Sequence, residues 1–168
     1  MDETRLSAPE GVRFLPDDPT GVGVLVLAGS SGRIDAAPLP FVPLDRRRAP
    51  ATHPPEFREL YAASRAAHPD HAVAAAIPVE RIREVLVVAG GDYRVWDPVD
   101  HARRIAGRRD QAGLPTTVVD HTTAGHRAAL PGEQAPTAGL DIARGGSAEA
   151  DARLGAMAWP ALVRLVRP

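Results

Sequence analysis

The chain contains no cysteine, which excludes disulfides, thiolate-held metals and a cysteine nucleophile. It contains no lysine either. All 20 basic residues are arginine, and against 21 acidic residues they leave a net charge of −1, so there is no field to recruit nucleic acid or an anionic membrane. No apolar run approaches the roughly 20 residues that cross a bilayer. The opening "MDETRLSAPE" is acidic and polar, unlike a secretory leader, and a cytoplasmic location is the expectation. Aromatic residues are scarce at 4%, and alanine supplies much of the 44% apolar content, so the core is expected to be thin.

What is present is a chain of 168 residues, long enough for one domain over residues 1–168 that buries roughly 70% of its unfolded surface. Its 15 glycines and 17 prolines predict many turns. The segment "GVRFLPDDPTGVGVLVLAGSSG" predicts a short strand, a turn, and an apolar strand from Gly21 to Ala28 of the kind buried on both faces. Residues 33–55, with six prolines, predict loop, and the triple arginine Arg46–Arg48 inside it fits a solvated turn better than an anion site.

"PEFRELYAASRAAH" places Phe57, Leu60, Tyr61 and Ser64 at helical spacing, with Pro69 ending the helix. "HAVAAAIPVERI" is a weaker helical stretch broken at Pro78, "EVLVVAGG" a buried strand, residues 98–109 a further helix closed by "DQAGLP", and "TTVVDH" another strand. The last helix is signalled by Ser147 as N-cap, acidic residues in the first turn and a kink at Pro160. Apolar strands alternating with helices predict an α/β layer around a mostly parallel sheet flanked by helices. The gap between Ala28 and the next strand at residue 84 is wide for such a sheet.

Three segments in order, "AAIPVERIREVLVVAGGDYRVWDP", "TVVDHTTAGHRAALPG" and "GGSAEADARLGAMAWPALVRLV", resemble the C-terminal half of the acyl-CoA thioester hydrolase and bile-acid-CoA:amino-acid N-acyltransferase family. Upstream, "GVGVLVLAGSSGRID" is similar to its early strand and glycine-rich oxyanion loop, and residues 33–83 are similar to its lid region. The resemblance implies an abridged α/β-hydrolase with its central strands missing and a small acyl substrate or ligand. Two departures stand out. Arg33-Ile34-Asp35 runs straight into the lid-like segment, so the nucleophile elbow of the family is missing, and Tyr93 stands where the family places its triad acid, with Asp92 one step earlier.

Within that frame His126, on a loop after a strand, resembles the catalytic histidine. Asp92 serves equally well as an acid for His126 or as a turn aspartate capping the helix that follows. Asp97 is better explained as a cap before Pro98, and Trp96 as core or pocket wall. Ser30 lies in "Ala28-Gly29-Ser30-Ser31-Gly32", a small-x-Ser-x-small pattern. The prolines that follow oppose the helix an elbow requires, so Gly29, Ser31 and Gly32, with the Ser30 backbone, are better suited to an anion-binding turn. His68 and His71 lack a third ligand, and no metal or cofactor is expected.

Three functions remain open. Ser30, Asp92 and His126 can form a weak hydrolase; His126 with Tyr93 can move protons without a covalent intermediate; or the chain can be a non-catalytic pseudo-enzyme that binds an acyl ligand or another chain. Strands left uncovered by the missing segment also lead us to expect a homo-oligomer or pairing with another chain.

Overall fold

The computed structural model describes residues 40–134 and 139–166, together with the backbone of four short strands nearer the amino terminus. Those strands form two antiparallel pairs. β1 (Asp2–Ser7) pairs with β2 (Glu10–Leu15) from Asp2 opposite Leu15 to Ser7 opposite Glu10, and β3 (Arg33–Ile34) pairs with β4 (Ala37–Pro38). The β2 strand matches the expectation, whereas the polar opening that pairs with it carried no strand signal. The predicted strand from Gly21 to Ala28 lies outside the described residues. Arg46–Arg48 is a single 3-10 turn, with the Asp45 carboxylate accepting from the Arg47 amide at 3.2 Å and Arg48 lying 3.6 Å from Glu59. Arg47 and Arg48 are exposed, and Arg48 has its own acidic partners.

α1 (Arg58–Ala67) buries Leu60 and Ser64, two of the positions that its periodicity marks as inward. Pro69 does more than stop it: this residue occupies the first turn of α2 (Pro69–Ala74), where a missing N–H costs nothing. A 3-10 turn at Val79–Arg81 then leads into β5 (Leu86–Gly90). α3 (Pro98–Gln111), capped by the Asp97 carboxylate on the Asp100 amide at 3.0 Å, crosses over to β6 (Thr117–His121). Just past its C-cap Ala112 stands Gly113, whose φ of 68° is left-handed, a conformation that suits glycine after a helix terminus. α4 (Ala148–Val166) takes its N-cap bond from the Ser147 hydroxyl at 3.2 Å and continues past Pro160.

β5 and β6 pair in parallel, Leu86 opposite Thr117 through Gly90 opposite His121. Among the described residues the predicted mostly parallel sheet is therefore these two strands with helices packed on them, a mixed α/β arrangement. Val88 and Val119, opposite one another, face Ala150 and Leu154 of α4, with Ala124 between. Among the described residues half of the ten buried apolar ones are alanine. Small side chains bring backbones close, and a Cβ on Gly155 of α4 would run into the Ala129 carbonyl.

Among the described residues one buried residue is charged. Arg109, fully enclosed in α3, donates from Nε to Thr116 Oγ1 at 2.9 Å and from its terminal nitrogens to the carbonyls of Val79, Ile82, Arg83 and Pro115 at 2.5–3.1 Å. All five guanidinium donors are used. The side chain thereby ties α3 to the segments that enter β5 and β6. No helix among the described residues is long and apolar enough to cross a membrane.

Candidate functional site

The carboxyl ends of β5 and β6 are laced together by their turns. The amides of Gly91 and Ala124 both donate to the His121 carbonyl, and Asp92 N–H donates to the Ala124 carbonyl at 2.9 Å. This brings the "GGDY" turn beside the loop carrying His126, as ligand sites in open α/β sheets require. Glycines permit the approach. A Cβ on Gly125 would strike the Gly145 carbonyl, and one on Gly90 the Gly125 carbonyl.

Tyr93 is buried, and its ring lies 4.9 Å from that of His126 at a 34° tilt. Trp96 meets Tyr93 edge-on at 4.9 Å, and Tyr61 meets Trp96 at 6.0 Å. Burial pushes the Tyr93 phenol up to about 12. Desolvation first, then the charges of Arg144 and Arg127, hold the His126 imidazole below its ordinary range. At neutral pH the pair is therefore a protonated phenol against a neutral imidazole, although the His126 ring remains open to solvent on its outer side.

Asp92 is engaged elsewhere. One carboxylate oxygen accepts from the Gly146 amide at 2.9 Å and the other from Arg94 Nε at 2.7 Å. The Gly146 bond is the first cause holding its carboxyl below the usual range, Arg94 the next to lower it. Arg94 continues to Glu56 at 3.1 Å, and its carbonyl accepts from the amides of Phe57 and Arg58. A second carboxylate missed in the sequence, Asp151 in the first turn of α4, accepts from the Gly125 amide at 2.7 Å. Both acids thus strap loops to the framework, and among the described residues no hydrogen bond reaches the His126 ring.

Of the sequence candidates, the structure brings His126 and Tyr93 into contact and sets Asp92 beside them with its oxygens committed. Gly29, Ser30, Ser31 and Gly32 lie outside the described residues. Asp97 is the cap of α3 as expected, and no cluster of three metal-ligating side chains occurs among the described residues.

On the other side of Trp96 opens a cleft of about 510 Å³, within the roughly 300–1,000 Å³ usual for small-ligand sites. Phe41, Leu44, Tyr61 and Trp96 form its apolar walls, and Arg65 and His101 stand at its polar side. Three of the seven aromatic residues in the chain line this one feature. Their scarcity is a signal the sequence carried, but 55 residues separate Phe41 from Trp96 and only the fold gathers them. Set against family models, characterised proteins and solved structures, the chain matches none of them.

Proposed function

We propose that this chain is an abridged α/β-hydrolase homologue of the acyl-thioesterase kind that binds a small acyl ligand and does not hydrolyse it through a triad. Triad chemistry needs an acid that orients the imidazole and offsets the charge developing on it. The observation that carries the proposal is the commitment of Asp92 and Asp151 to the Gly146 and Gly125 amides, with the Tyr93 ring packed against that of His126. The neighbouring apolar cleft supports the ligand class, because buried hydrocarbon contributes about 0.8 kcal/mol per methylene. Removing the nucleophile of a triad costs on the order of a millionfold in turnover and removing its acid roughly 10⁴-fold, and binding survives either loss.

The test is turnover of a chromogenic acyl thioester by the unaltered protein, Ser30→Ala and His126→Ala, beside binding of a fluorescent acyl probe. The expected outcome is saturable binding with equal, negligible turnover in all three. Turnover abolished by Ser30→Ala would restore an ordinary hydrolase. The Tyr93–His126 contact favours one further reading, proton transfer on a bound ligand by His126 with the Tyr93 phenol. Activity lost in His126→Ala with no acyl-enzyme burst is its mark.

The reading includes a cytoplasmic location, no nucleic-acid, membrane, metal or cofactor partner, and association with a second copy or another chain. In its support, β5 and β6 pair only with each other among the described residues, and Val118 of β6 is 41% exposed. Unpaired strand edges template further pairing. Sedimentation at micromolar concentration should show a dimer or larger; a monodisperse monomer refutes self-association.

A further inference from the structure

The polar side of the cleft, next to Trp96, is built from groups already engaged by neighbours. Arg65 lies 2.6 Å from the Asp100 carboxylate, which also accepts from Arg104 at 2.9 Å. Asp97 is occupied as the cap of α3 and lies 3.7 Å from Arg58. Ser64 accepts from the Asp45 amide at 2.8 Å and donates to the Leu60 carbonyl at 2.7 Å. Desolvation, and secondarily Arg65, hold His101 below the ordinary histidine range, so it faces the cleft neutral. An ion of either sign entering the cleft would lose water and meet, among the described lining residues, only charges that already have a partner. An uncharged headgroup loses far less.

Resting on the ligand-binding reading above, we propose that the cleft selects an uncharged amphiphile, hydrocarbon chain against Phe41, Tyr61 and Trp96, and that the Arg65–Asp100 pair is the specificity determinant that keeps free carboxylates out. Arg65 is the one cation lining the cleft among the described residues, and its partner withholds it. Breaking that partnership converts the site into one that accepts an anion.

The experiment compares decanol, decanoate and decyltrimethylammonium, all at concentrations below micelle formation, by Trp96 fluorescence in a Trp159→Phe background. Trp159 is 41% exposed and outside the cleft. Decanol should bind at least about tenfold more tightly than either ion. Asp100→Asn, which keeps shape and removes charge, should raise decanoate affinity about tenfold and leave decanol unchanged. Equal binding of all three by the unaltered protein overturns charge selection and leaves the ligand-binding reading standing. A folded Asp100→Asn protein with unchanged decanoate affinity removes the role of the pair. Absence of binding by all three overturns the cleft reading itself. If Asp100→Asn does not fold, the three-ligand comparison on the unaltered protein still decides.

Discussion

Replacing Arg109 by methionine keeps an unbranched chain of similar reach and removes the guanidinium. Its five bonds run to Thr116 Oγ1 and to the carbonyls of Val79, Ile82, Arg83 and Pro115. A buried acceptor left without a donor costs about 1–3 kcal/mol. Val79 is buried, whereas Ile82, Arg83 and Pro115 are exposed residues, so water can replace part of what three of the carbonyls lose. Against this, methionine no longer desolvates a charge. The net loss is therefore expected near 3–4 kcal/mol, a large fraction of the 5–15 kcal/mol typical of a whole domain. Urea unfolding followed by far-ultraviolet circular dichroism reads it as a fall in midpoint of at least about 1 M. Arg109→Lys, with three donors in place of a planar fork, should recover only part. A methionine variant within about 1 kcal/mol of the unaltered protein would refute the view that this side chain clamps the entries to β5 and β6.

Asp92→Ala should cost about 1–3 kcal/mol, since it frees the Gly146 amide and Arg94, the latter discounted for its exposure; thermal melts check this, and a stability-neutral variant that loses thioester turnover would instead make Asp92 a triad acid. Gly125→Ala drives a Cβ into the Gly145 carbonyl and should destabilise by ~2–3 kcal/mol; a melt equal to that of the unaltered protein contradicts the close approach of these loops. Because the folded state lowers the His126 pKa below the unfolded value of about 6.5, the unfolded chain binds more protons in the interval between the two. Stability is therefore full above about pH 6.5 and falls as pH drops through the lowered value, with His101 adding in the same direction. Urea midpoints measured across that interval should lose part of their slope in His126→Gln, and an unchanged slope would show that the ring titrates alike in both states.

Local chemistry made most of the helices and the parallel pair legible in advance. Asp97, Ser147 and the acidic first turn of α4 are capping signals decided within a few residues, and the apolar run "VLVVAG" has few outcomes other than a covered strand. Boundaries moved where local signals were weaker. α3 runs two residues beyond the predicted end, to Gln111, because its stop signal is Gly113. The predicted segment of α2 shifted toward the amino terminus because Pro69 starts a helix as well as ending one. The strand at Asp2–Ser7 exists by pairing with β2, and nothing in its polar sequence announces a partner.

The candidate site divides differently. Its loop histidine and the "GGDY" turn were visible as residues, and their contact follows from the parallel register of β5 and β6. The equal choice left open for Asp92, acid or turn cap, turns on where two oxygens point. That depends on an amide 54 residues away. Arg109 in the sequence is one arginine among 20; only folding encloses it among carbonyls. Sequence alone determined what hydrogen bonding and periodicity within a few residues can enforce, namely the elements and their caps. Tertiary structure decided which charges are spent on one another and which aromatics share a cleft, because those partnerships join residues whose separation along the chain carries no local energy.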